Sequence, residues 1–159
     1  MKKLTNILLF TLLISVAMSA QKTKEAVLKK LDSQTEKYGS IAMQIWNLAE
    51  MGYLEEQSSS LLQETLSNEG FTIKKGVANI PTAFIAEYGS GLPIIAILGE
   101  FDALPGLSQQ AIPEKKSANG DAGHACGHHL FGTASAAAAI SVKQWMQSTK
   151  QKGTIRFYG

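Results

Sequence analysis

The sequence predicts an α/β fold, a mixed, largely parallel sheet with flanking helices. Three observations lead there. Residues 92–99 read LPIIAILG, a nearly continuous apolar run without polar alternation, which marks a strand buried on both faces. Residues 130–146 are alanine-rich and read as a helix thin enough to lie close to a sheet. Residues 153–159, GTIRFYG, form another apolar strand. Strand, loop, helix and strand thus follow in the order of a parallel crossover unit.

The chain opens as an export signal. Lys2 and Lys3 form a positive start, an apolar run follows to Met18, and Ala17-Met18-Ser19-Ala20 offers a small-residue cleavage site. Residues 1–20 are expected to be a cleavable signal peptide, with residues 21–159 exported to a periplasm or secreted. An uncleaved anchor is the alternative, but the run is shorter than the roughly 20 residues that span a bilayer. Of the 159 residues, 45% are hydrophobic and 18% charged, which excludes disorder as a whole-chain description. The net charge is +2, and loss of Lys2 and Lys3 with the leader brings it to zero. No basic field remains to attract nucleic acid or an anionic membrane.

Residues 23–51 carry a helical stripe through Val27, Leu31, Ile41, Ile45 and Leu48, with Gly39-Ser40 as a tolerated or interrupting pair. Trp46 reads as a core anchor. Glu55 and Glu56 read as a solvated pair ahead of the next helix rather than as site carboxylates. That helix spans residues 58–68, with Ser58 to Ser60 supplying its cap and Gly70 its stop. Residues 71–75 and 82–88 are expected strands, and Gly89-Ser90-Gly91 a tight turn. The 92–99 strand then discharges into Glu100-Phe101-Asp102, and acidic side chains at a strand's carboxyl end are where open α/β sheets place ligands. A capping aspartate before a loop is the plainer alternative. Residues 107–119 are polar surface loop.

The stretch GDAGHACGHHLFG, residues 120–132, holds all three histidines and the only cysteine. Cys126 and His128 flank Gly127, so a thiolate and an imidazole can turn toward one point. Soft thiolate plus imidazole suits zinc and its neighbours. His124 and His129 are close enough to be further ligands or outer partners. The alternative is a buried apolar cysteine among chance histidines. Export sharpens the choice, since a single cysteine cannot pair within the chain and metal binding would protect it.

ILGEFDALPG, GHACGHHLFGTASAAAAI and GTIRFYG together resemble the aminoacylase and carboxypeptidase family of dinuclear metallohydrolases, the M20 peptidases, in its amidohydrolase branch. The resemblance runs from the WNLAEMGYLEE region to the end. It implies a metallopeptidase catalytic domain, two divalent ions (zinc or manganese), and hydrolysis of amide bonds in N-acyl or N-aroyl amino acids or small peptides. It puts Cys126 and His128 on metal ligands and Asp102 on an acidic residue that tunes the metal site. Glu100 stands where other branches have a metal-binding histidine. His129 departs from the usual Asp or Asn. The resemblance further implies that the general-base glutamate, later histidine ligands and a lid and dimerisation domain lie beyond Gly159. The 159 residues alone are then expected to be inactive, and the full-length parent to be a homo-oligomer. A non-catalytic metal-binding or interaction fragment is the reading from another class.

Overall fold

The computed structural model describes residues 24–159. The expected signal peptide lies outside the described residues. Two compact units divide at Thr35 and Glu36. In the first, residues 24–32 form helix α1, and a turn follows. The hydroxyls of Ser33 and Thr35 donate to the carbonyls of Lys30 and Asp32, at 2.6 and 2.7 Å. These local bonds compete with the helical ladder, so the expected single helix over 23–51 is two. Helix α2, Thr35–Leu48, passes through Gly39 uninterrupted and stops where Ala49 turns left-handed, at φ 45°.

All of α2 after Thr35 belongs to the second unit, as does helix α3, Glu56–Asn68. Its expected serine cap is a correction. Ser58 and Ser59 are buried inside the helix, and Ser59 Oγ donates to the Thr82 carbonyl at 2.6 Å. The cap comes instead from Glu50, whose carboxylate accepts the N–H groups of Gln57 and Ser58 at 3.0 and 2.8 Å. Burial pushes the Glu50 carboxyl up, but these N–H groups outweigh it and hold the group below its ordinary range. Gly70, at φ 86°, ends the helix as expected, with Phe71 N–H reaching back to Leu66 O at 3.1 Å.

Four strands form one sheet in the order β1-β2-β6-β3. They are β1 Thr72–Lys75, β2 Phe84–Ser90, β3 Ile94–Leu98 and β6 Gly153–Tyr158; the small strands β4 Leu104–Pro105 and β5 Ala122–Gly123 pair separately. β3 and β6 run parallel around helix α4, His128–Thr149, which is the expected crossover unit. The sheet is nevertheless not largely parallel. β1 with β2 and β2 with β6 are antiparallel. The connection between β1 and β2 is a short reversal, and only antiparallel strands can be joined that way. Nor do Gly89 and Ser90 turn the chain: they stay in the ladder opposite Thr154 and Gly153. A side chain at Gly89 would strike the Gly153 carbonyl.

The 92–99 run is also corrected. β3 pairs only with β6, and its other edge is unpaired among the described residues. Ile95 is 52% and Leu98 67% exposed. An apolar run shows that a strand could be buried on both faces, but covering elements must supply the burial. The core lies on one face of the sheet, where Leu62 and Leu66 of α3 and Ile140 of α4 meet Phe84 and Phe157, all fully buried. Each such side chain contributes about 1.5–3 kcal/mol by leaving water. Among the described residues no helix is long and apolar enough to cross a membrane.

Helix α4 comes very close to the chain leaving β3. A Cβ at Gly132 would lie 2.8 Å from Glu100 O and 3.1 Å from Phe101 Cβ. Gly132→Ala should therefore lower stability by about 1–3 kcal/mol. Gly39→Ala, on an open face with nothing within 4 Å, should raise it by about 0.5–1 kcal/mol. Urea midpoints of the two variants check both signs. The bare β3 edge should make the 159-residue chain associate as concentration rises, and Ile94→Lys should reduce that association in light scattering.

Candidate metal centre

Two short segments build the site. After β3, Gly99 N–H donates to Tyr158 O at 2.9 Å, and the chain runs outward through Glu100, Phe101, Asp102 and Ala103. Phe101 and Ala103 are buried, at 4% and 2% exposed, which leaves Glu100 and Asp102 on the other side. Ala103 N–H is held by Glu50 O at 2.7 Å. β4 then pairs with β5, Leu104 opposite Gly123 and Pro105 opposite Ala122. This two-residue ribbon closes the 107–119 excursion and brings the EFDALP segment against the histidine segment. Sequence reading misses it, because two-residue strands carry no periodicity.

The second segment turns at His124–Gly127, with Gly127 N–H on His124 O at 3.0 Å. Gly127 is left-handed, at φ 79°, and caps α4. His128 and His129 are therefore the first helical residues and not loop residues. Successive helical residues point about 100° apart, and the two rings have opposite fates. His128 reaches outward between the carboxylates: Nδ1 lies 2.7 Å from Asp102 Oδ1 and Nε2 3.1 Å from Glu100 Oε2. His129 is buried, at 7% exposed, edge-on to Trp46 with ring centroids 4.9 Å apart.

His124 joins His129 in that buried cluster. Its ring lies 5.0 Å from His129 and 6.3 Å from Trp46, and its Nε2–H donates to Ile45 O at 3.0 Å. Trp46 is only partly buried and is not the expected core anchor; its ring packs against the two imidazoles. Burial pulls both histidines below their ordinary range; for His124 the Ile45 carbonyl works against this, and for His129 the neighbouring His124 adds to it. Cys126 is exposed and unpaired by any disulfide. The fold brings together Glu100, Asp102 and His128. Among the described residues no three Cys, His, Asp or Glu side chains converge closely enough to hold one ion.

The donor types nonetheless fit a divalent metal. With a neutral ring protonated on Nδ1, the His128–Asp102 contact would be the carboxylate–histidine arrangement that fixes a ligating ring and leaves Nε2 as the donor. A neutral imidazole has one N–H and can satisfy only one of its two carboxylates. With the proton on Nδ1, the Nε2 lone pair opposes a Glu100 oxygen. A cation there would turn that opposition into attraction, and Cys126, exposed and two residues before His128 in the chain, is a soft donor type that would suit it.

No family model matches the chain. It is 48% identical over 131 residues to one of the subunits of p-aminobenzoyl-glutamate hydrolase of Escherichia coli (strain K12), an alignment covering 81% of this chain and 27% of that protein. The chain belongs to the M20 peptidase family. It is 28% identical over 144 residues to Xaa-Arg dipeptidase of Mus musculus, covering 84% of the chain and 30% of the dipeptidase. It thus spans between a quarter and a third of these relatives. It also superposes on the crystal structure of a Bacillus subtilis dinuclear metal-binding M20 peptidase with a TM-score of 0.66 and 26% identity. That match covers 80% of this chain and 35% of the other.

The buried histidine pair sets a pH dependence. Folded, His124 and His129 take up protons at lower pH than they do unfolded, where protonation sets in below about 6.5. The unfolded state then binds more protons, so their contribution to stability is full above that range and is lost as pH drops through it. Urea unfolding between about pH 7.5 and about pH 5 should show this decline, and His129→Phe should make it shallower.

Proposed function

We propose that this segment is the N-terminal part of a metal-dependent hydrolase acting on amide bonds in N-acyl or N-aroyl amino acids or small peptides. A p-aminobenzoyl-glutamate-like amide is the model substrate, since the E. coli relative is named for it. The observation that carries the reading is His128 held between Asp102 and Glu100 at 2.7 and 3.1 Å. In this reading Cys126 and His128 ligate metal. Asp102 keeps the His128 proton on Nδ1 and so aims the Nε2 lone pair at the ion. Glu100 lies on the Nε2 side as a supplementary donor, while His124 and His129 stiffen the turn from within and ligate nothing. When bound, a pair of zinc or manganese ions supplies polarisation of the amide carbonyl and an activated water. The longer protein would be exported by its leader and form a homo-oligomer.

A non-catalytic metal-binding or interaction role is the second reading, favoured by the lack of three convergent donors among the described residues. The longer protein separates the two. Chelator-sensitive hydrolysis of N-acyl or N-aroyl amino acids supports the enzyme; stoichiometric metal without turnover supports the alternative. Cys126→Ser and His128→Ala should lower metal content and turnover together. Asp102→Asn, which keeps an acceptor but loses the charge, should lower metal affinity about 10–100-fold. Metal analysis beside steady-state kinetics checks all three, and full metal content with full rate would sink the ligand assignment.

A further inference from the structure

The polar excursion between β4 and β5 ends on Ser117-Ala118-Asn119-Gly120. We propose that Asn119 is a site of spontaneous deamidation in the folded protein, and that Ser108 sets its pace.

The reaction lies within one dipeptide. The Gly120 backbone nitrogen gives its proton to solvent base and bonds to Asn119 Cγ, and the side-chain nitrogen leaves as ammonia. Water then opens the cyclic succinimide. Cleavage between the nitrogen and Cγ leaves aspartate. Cleavage between the nitrogen and the Asn119 backbone carbon leaves isoaspartate, with the chain routed through Cβ. One water enters and one ammonia departs, so no oxidant or other reagent is needed. Crowding at the attacking nitrogen governs the rate, and glycine alone has no Cβ there. The chain has five asparagines, and Asn119 is the one that precedes glycine; the other four precede isoleucine, leucine or glutamate. Asn79 shares the left-handed backbone, at φ 62° against 60° for Asn119, but Ile80 follows it. It therefore separates the effect of backbone shape from that of the next residue.

The local structure supplies a brake. Asn119 and Gly120 lie outside every helix and strand, so no ladder bond holds them. Instead Gly120 N–H donates to Ser108 Oγ and Asn119 N–H to Ser117 Oγ, both at 2.9 Å. The Ser108 bond occupies the proton that must leave and ties the nitrogen to the far side of the excursion. A neutral hydrogen bond of this kind has a small net worth, so it slows ring closure without preventing it.

The two products differ in what they do to the ribbon beyond. Gly106 N–H donates to Asp121 O at 2.6 Å, and a side chain at Gly123 would strike the Leu107 carbonyl. The β4–β5 closure thus has no slack for the extra backbone atom of isoaspartate, whereas aspartate adds charge at unchanged chain length. Isoaspartate should lower the urea midpoint below that of Asn119→Asp.

The test incubates the longer protein, folded, at mildly alkaline pH and maps its peptides by mass spectrometry, with isoaspartate read by enzymatic methylation. Acid should accumulate at Asn119 while Asn47, Asn68 and Asn79 stay amides. Ser108→Ala should speed conversion about two- to tenfold, Ser108→Thr, which keeps the hydroxyl, should hold the wild-type pace, and Asn119→Gln should abolish it. The same chain unfolded in urea gives the unbraked rate. A folded protein that keeps the Asn119 amide while the unfolded chain converts would overturn the site. Equal rates in wild type and Ser108→Ala would overturn the part given to Ser108.

Discussion

The candidate centre depends on how near helix α4 comes to the chain leaving β3. Gly132 lies one helical turn after His128, and its bare Cα rests against Glu100 O and Phe101. Gly99 fills the same role from the strand side, against the buried ring of Phe157. With both positions free of side chains, the first turn of α4 sits low enough for His128 to bond Asp102 at 2.7 Å. A wider gap would leave imidazole and carboxylate separately solvated, with neither fixed. The dense interior of the unit thus sets the geometry of a half-exposed pair.

The tandem histidines show how far sequence reaches. The donor types in GHACGHH, and the acids in EFDALP, mark a candidate metal site in the sequence. Their division of labour is not. Which histidine faces the acids follows from where α4 begins, and Gly127 sets that start with a left-handed backbone that composition does not reveal. His124 and His129 go to the core because Trp46 offers aromatic surface and Ile45 a carbonyl. Both partners lie far earlier in the chain.

The fold divides similarly. The crossover of β3, α4 and β6 is readable, because it is local in sequence and each part has its own signature. The exposure of β3 is not, since hydrophobicity records what a strand prefers and only neighbours decide what it gets. The cap of α3 escapes sequence reading for a related reason. Three serines stand where a cap is usual, but Glu50 brings a charge, and a charged acceptor binds backbone N–H groups more strongly than a hydroxyl.

The strand order carries a further consequence. β6 lies between β2 and β3, with Ile85 opposite Tyr158 on one side and Leu98 opposite the same tyrosine on the other. On a ribosome both flanking strands emerge well before the strand that joins them. Until residues 153–158 arrive, β2 has only β1 beside it, and β3 has no partner in the sheet. The nascent chain must carry an unpaired apolar strand while all of α4 is made, which slows folding and exposes it to wrong pairings.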